Sequence, residues 1–231
     1  MLSAAKRRCC VLGRAMLKKI ALVLGIVVVS FSALVASRPD VTRVERHGDV
    51  AGTPEIVFAR LNNLHEFSQW SPWSKLDPEM KTELAGPASG VGSKYHWIGN
   101  DDVGEGTMEI TEVRPNTVVQ RLEFIRPFAS KAEVTLSVVA KDNATSTVTW
   151  AMDSQNNFPS KMAGLFMNMD EMIGKDFVEG ITNIGKLTAA DVKAAEEAAA
   201  AKAAADAAAA AAAAAAAVPA DGAAPAAPAA P

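Results

Sequence analysis

Cysteine is nearly absent. The chain of 231 residues has two, Cys9 and Cys10, and both precede its one long apolar run. From residue 40 onward no disulfide and no thiolate nucleophile is available. The adjacent pair beside an apolar segment suits acylation; two incidental thiols are the plainer reading. Histidine is scarce too. His47, His65 and His96 lie far apart, with no HExxH and no CxxC, so no metal site is expected and each reads as a surface histidine. There is no GxSxG elbow. "GPASGVGSK" misses the P-loop spacing and "GEGTME" misses the dinucleotide fingerprint, so no cofactor is expected. Residues 40–187 lack basic runs; their 14 Lys/Arg against 21 Asp/Glu give −7, which argues against a nucleic-acid partner.

Three kinds of sequence share the chain. Residues 1–39 are basic, then apolar, and carry a net +7. Between Lys19 and Arg38 stand 18 uncharged residues, enough for roughly 27 Å of helix against a hydrocarbon core of ~30 Å. The run is apolar on every face, unlike a core helix. A single transmembrane helix over 20–37 is expected in the inner (cytoplasmic) membrane. The flanking Lys/Arg place the N-terminus in the cytoplasm and the following domain outside it. A cleaved signal peptide is the competitor, with only Val35-Ala36-Ser37 as a cleavage site. Residues 40–187 have globular composition and the size of one domain. Residues 188–231 are mostly alanine, closing on "APAAPAAP". Thr188-Ala-Ala-Asp191 reads as a capping box opening a separate alanine helix over about 189–217, with a polyproline-like end beyond Pro219.

Within the central domain, 41–52 is β-leaning. Thr53-Pro54 opens a short helix, and a second, about 64–70, ends at Ser71-Pro72. Strands are expected at 81–85, 94–99, 104–113, 118–124, 131–139 and 145–153, joined by turns rich in Gly, Pro, Asn and Asp. Apolar residues from Met162 to Ile184 recur at i, i+3, i+4, i+7, predicting one long amphipathic helix over 161–187. Connections this short favour antiparallel neighbours. The result is an α+β fold: a curved antiparallel sheet of about seven strands, two short helices, and a long C-terminal helix laid across one face.

The stretches "FSQWSPWSKLDP", "GPASGVGSKYHWIGN", "VGEGTMEI", "LEFIRPF", "VTWAMD" and "LFMNMDEMIGKDFVEGI" resemble the SRPBCC (START-like) superfamily, in its polyketide cyclase/dehydrase-like branch. The resemblance covers most of 41–187. It implies the helix-grip fold and a deep cavity between sheet and long helix that holds an apolar ligand. It implies little about reaction, since the superfamily includes carriers as well as cyclases.

Strand parity selects the lining. Tyr95 and Trp97 share one face, as do Met108 and Ile110, Leu122 and Phe124, and Val148, Trp150 and Met152; His96, Glu109 and Arg121 take the other. Met169, Met172 and Ile173 of the helix are expected opposite them. Four methionines within Met162–Met172 suit an adaptable apolar surface; a solid core is the plain alternative. Asp101, Asp102 and Glu105 cluster at a turn near the expected mouth and read as solvated carboxylates. No catalytic pair emerges.

"WSPW" holds two of the four tryptophans. Both rings are expected to wedge the short helices against the sheet and long helix, which makes them structural. The expected function is a membrane-anchored domain that binds a hydrophobic small molecule or lipid. The alternatives are a cyclase/dehydratase-like enzyme acting on an apolar substrate and a non-catalytic envelope interaction module.

Overall fold

The computed structural model describes residues 2–216, with side chains over 16–213. Pro219 and the repeats after it lie outside the described residues. The first helix, α1 (Leu2–Ala36), includes an apolar stretch, Met16–Ala36, that is long enough to cross a bilayer and is almost wholly exposed. Ser37 Oγ donates to the Leu34 carbonyl (2.8 Å), and the chain turns within residues 37–40 into β1 (Val41–Ala51).

Strands β1, β2 (Lys81–Ala85), β3 (Lys94–Ile98), β4 (Glu105–Arg114), β5 (Thr117–Arg126), β6 (Ser130–Ala140) and β7 (Thr145–Gln155) form one antiparallel sheet in the order β1-β7-β6-β5-β4-β3-β2. The hairpins from β2 to β7 are sequential. β1 joins at the far edge, beside β7, with Val41 opposite Gln155. Crossing from β1 to β2 therefore takes the chain over the concave face. That crossing holds α2 (Pro54–Leu61) and two 3₁₀ helices, Leu64–Gln69 and Pro72–Lys75. Pro72 does not merely end a helix; its fixed φ opens the second 3₁₀ turn, and Trp73 sits inside it.

The expected helix over 161–187 is broken. Asn157 caps α3 (Phe158–Ala163) by accepting from Ser160 N–H, with Pro159 in the first turn, and the helix ends at Gly164. The next helix, α4 (Met169–Ala216), opens where Asn168 Oδ1 accepts from Glu171 N–H. The apolar period runs through this break because Met162, Phe166 and Met167 recur at helical spacing while standing in solvent.

Nor does a new helix start at Thr188. That side chain is fully buried and donates to the Gly185 carbonyl, so α4 continues unbroken into the alanine tract. Asp191 is no cap. It receives a bidentate bond from Arg60 of α2 (2.6 and 2.8 Å), and Arg60 also pairs with Glu66. This network ties the alanine helix to the domain.

Candidate functional site

The concave face meets α4 and the crossing segment in an aromatic interior. α4 lies close because glycines face it. A Cβ on Gly180 would stand 2.5 Å from the Trp150 ring, and one on Gly48 would stand 2.9 Å from Ile181. Gly106 serves Trp97 likewise, where a Cβ would approach its ring to 2.4 Å.

Trp150 stacks on Phe177 of α4, centroids 4.4 Å apart and planes 9° from parallel. Trp70 meets Trp150 edge-on at 5.3 Å and Phe67 at 4.7 Å; Phe67 in turn meets Tyr95 at 5.2 Å. Tyr95 continues to Trp97, and Trp97 to Phe124. One chain of rings thus runs through the interior. Trp73 closes its α4 side, with Nε1 donating to Asp176 (3.1 Å). Both WSPW rings bridge the crossing segment to Trp150 on the sheet, and Asn183 of α4 donates to the Trp70 carbonyl.

Of the residues that parity placed inside, Tyr95, Trp97, Met108, Ile110, Leu122, Trp150 and Met152 are buried in one core; Phe124 is half-buried against it. On the helix, Ile173 packs on the core, but Met169 and Met172 do not, being 38% and 51% exposed. The helical face that meets the sheet is carried instead by Phe177, Ile181 and Ile184. Both methionines stand in the first turn of α4, ahead of the part of the helix that meets the sheet, and remain in solvent. Glu105 bonds Arg126 at 2.7 Å and also faces His96, and Asp101 and Asp102 are exposed.

The aromatic interior is filled rather than hollow. Two hollows stand out, and both are open to solvent: one of about 340 Å³ beside Phe124, Ile125 and Ala129, and one of about 270 Å³ between Arg46 and Gly174. This differs from the deep cavity the sequence led us to expect. Large rings at positions 70, 97, 150 and 177 occupy the space.

The interior nevertheless holds polar atoms without partners. Tyr95 Oη, Trp70 Nε1, Trp150 Nε1 and Gln120 Nε2 are buried and make no hydrogen bond among the described residues. Leaving such a group unpaired costs ~1–3 kcal/mol. Burial pushes the Tyr95 hydroxyl up to about 12, so it stays protonated and can donate. Gln120 was legible in sequence: in "VVQRLEF" it shares parity with Leu122 and Phe124. His65 is no plain surface histidine either, since its Nε2 is buried and unpartnered. Asp176, three residues after Ile173, is half-buried at the edge of this interior, where it accepts from Trp73. Burial raises its carboxyl above the ordinary value, and the Trp73 N–H partly offsets this. No group of three or more His, Cys, Asp or Glu is placed to hold a metal among the described residues.

Strand order, crossing segment and terminal helix define the class by architecture: an α+β helix-grip layout, a seven-stranded antiparallel sheet covered by a long C-terminal helix and closed around an aromatic interior. No family model matches the chain, and no curated protein matches it. Solved structures similar to it include a hypothetical protein from Helicobacter pylori, with 11% identity, 67% of this chain and 92% of that one covered, and a TM-score of 0.49. Ginseng major latex-like protein 151 from Panax ginseng has 12% identity over 65% of this chain and 99% of its own, at a TM-score of 0.47. Truncated norcoclaurine synthase from Thalictrum flavum has 12% identity over 64% and 92%, at 0.45.

Proposed function

We propose that residues 40–187 bind an apolar small molecule or lipid that carries hydrogen-bond acceptors, from a single-pass anchor formed by residues 20–37. The observation that carries this reading is the set of unpaired donors, Tyr95 Oη, Trp70 Nε1 and Trp150 Nε1, inside an otherwise apolar interior. A carbonyl or ether oxygen brought among them would relieve their desolvation, while its hydrocarbon would replace ring–ring contact. Because the interior is filled, binding requires α4 to part from the Trp150 ring. Entry is by the least packed wall, residues 158–172, where most side chains are exposed. Tyr95, Trp97, Met108, Ile110, Leu122, Phe124, Trp150, Met152 and Ile173 line the path, with Met169 and Met172 at its edge. The basic residues before the apolar run put the N-terminus in the cytoplasm.

The test uses the full chain purified from its host membrane in mild detergent. Native mass spectrometry and solvent extraction should find an apolar molecule at near-stoichiometric amount, and oleic acid should perturb tryptophan fluorescence. Ligand-free protein whose fluorescence oleic acid leaves unchanged would overturn the reading.

A second reading, an acid–base enzyme on an apolar substrate, is favoured by Asp176. It is a carboxyl with a raised pKa beside the aromatic interior. Turnover abolished in Asp176→Asn with ligand affinity retained would select it.

A further inference from the structure

All seven strands place one set of ends together. The starts of β1, β2, β4 and β6 lie beside the ends of β3, β5 and β7, through the pairs Val41–Gln155, Lys81–Ile98, Glu105–Arg126 and Phe124–Ser130. This is the end at which α1 joins the domain. Four residues, 37–40, separate Ala36 from β1, so the sheet begins within ~18 Å of the end of α1.

The joint is also braced. Val35, in the last turn of α1, is fully buried, and α1 packs on α3. Lys161 of α3 pairs with Asp40, and Asn156 donates to the Pro39 carbonyl and to Thr42 Oγ1. α3 is thereby held against the final turn of the apolar span.

The same end carries exposed aromatic surface. Outside α1, the exposed aromatic residues among those described are Phe128 (81%), Phe158 (50%) and Phe166 (79%). Phe128 lies in the β5–β6 turn; Phe158 and Phe166 lie on and just after α3. Met162 and Met167 add to them. The opposite end exposes only isolated aliphatic residues, among them Val113 and Val139. A soluble protein gains nothing from three bare phenylalanines at one end. A phenylalanine beside a transmembrane helix can bury its ring at the headgroup–acyl boundary.

We propose that this end of the domain docks on the bilayer that holds α1, with the 125–129 turn and residues 158–167 seated in the interfacial layer. The domain then stands end-on rather than swinging on a free linker. The proposal rests on the reading of α1 as an anchor.

The full chain, with Cys9 and Cys10 replaced by serine, is reconstituted into phosphatidylcholine/phosphatidylglycerol vesicles. An environment-sensitive fluorophore is attached at one introduced cysteine: V27C within α1, F128C, F166C, or V139C at the opposite end. Nitroxide-labelled lipid then reports depth. The expected result is strong quenching at 27, quenching at 128 and 166 at least threefold above that at 139, and blue-shifted emission at 128 and 166. Quenching at 27 with none at 128 or 166 overturns the docking while the anchor stands. No quenching at 27 overturns the anchor, and the docking with it. Equal quenching at 128, 166 and 139 overturns the end-on orientation.

Discussion

Replacing Trp70 with alanine removes a ring that is 1% exposed and touches Phe67 and Trp150 edge-on. A buried tryptophan withdraws up to ~250 Å² from water, about 200 Å² of it apolar. At ~25 cal/mol/Å² the transfer term is about 5 kcal/mol. Against this, Trp70 Nε1 has no partner, and deleting it returns ~1–2 kcal/mol. The cavity left among rigid rings adds to the loss, so the net cost is ~3–5 kcal/mol. A domain of this size has ~5–15 kcal/mol in all, so the variant should be marginal. The assay is urea unfolding of the full chain in detergent, followed by tryptophan fluorescence. Trp73, Trp97 and Trp150 remain as reporters, and α1 has no tryptophan to confuse the signal. Trp70→Phe keeps most of the area and drops the unpaired N–H, so it should cost under ~1.5 kcal/mol. A Trp70→Ala loss below ~1 kcal/mol would refute the wedge. So would a Trp70→Phe loss equal to that of alanine, because it would mean the indole N–H is paired.

Three further outcomes can be checked with the same unfolding assay. Gly180→Ala should destabilise by about 1–3 kcal/mol, although alanine is the better helix former, because its Cβ meets the buried Trp150 ring 2.5 Å away; a stabilised variant would show that α4 can shift freely. Arg60 holds the Asp191 carboxyl below its ordinary value, chiefly through the side-chain hydrogen bond. A depressed carboxylate contributes above its unfolded pKa of ~4 and loses that contribution as pH falls through the folded value. Asp191→Ala should therefore cost about 0.5–1 kcal/mol at pH 7, with the difference from the parent shrinking below pH ~4; a pH-independent difference would count against the ion pair. For Asp176 the sign reverses. Its raised value means the folded state holds the proton more tightly, so its penalty is largest above the folded value and eases as pH falls through it. Asp176→Asn keeps an acceptor for Trp73 and should be at least as stable as the parent at pH 7; a clear loss would show that the charge itself is needed.

Much of the fold was legible because strand period is short-range. In "SKYHWIG" and "GTMEI" the alternation of large apolar and charged residues settles which face is inside, with no knowledge of the partner strand. Helix termini were less legible. The apolar spacing through Met162, Phe166 and Met169 obeys a helical period, yet Asn157, Gly164 and Asn168 cap two separate helices there. Local capping outweighed the period because those side chains have nothing to cover at that end of the sheet. Asp191 misled for the same reason: a carboxylate three residues after threonine has the capping-box spacing, while its guanidinium partner lies 131 positions away in the chain.

By itself the sequence determined the apolar N-terminal helix and the α+β order of strands and helices. It also determined the inward faces of the strands, since these depend on residues only two to four positions apart. Only the tertiary structure decided that the interior is filled with closely packed rings. Volume in a core depends on how close α4 can lie, and that is governed by Gly180 and Gly48 meeting Trp150 and Ile181 from distant parts of the chain. It alone gathered Tyr95, Trp70 and Trp150 with their donors unpaired, and it alone brought Phe128 to the same end as α1 and Phe166. Such groupings come from strand order and register, which couple residues far apart in the chain.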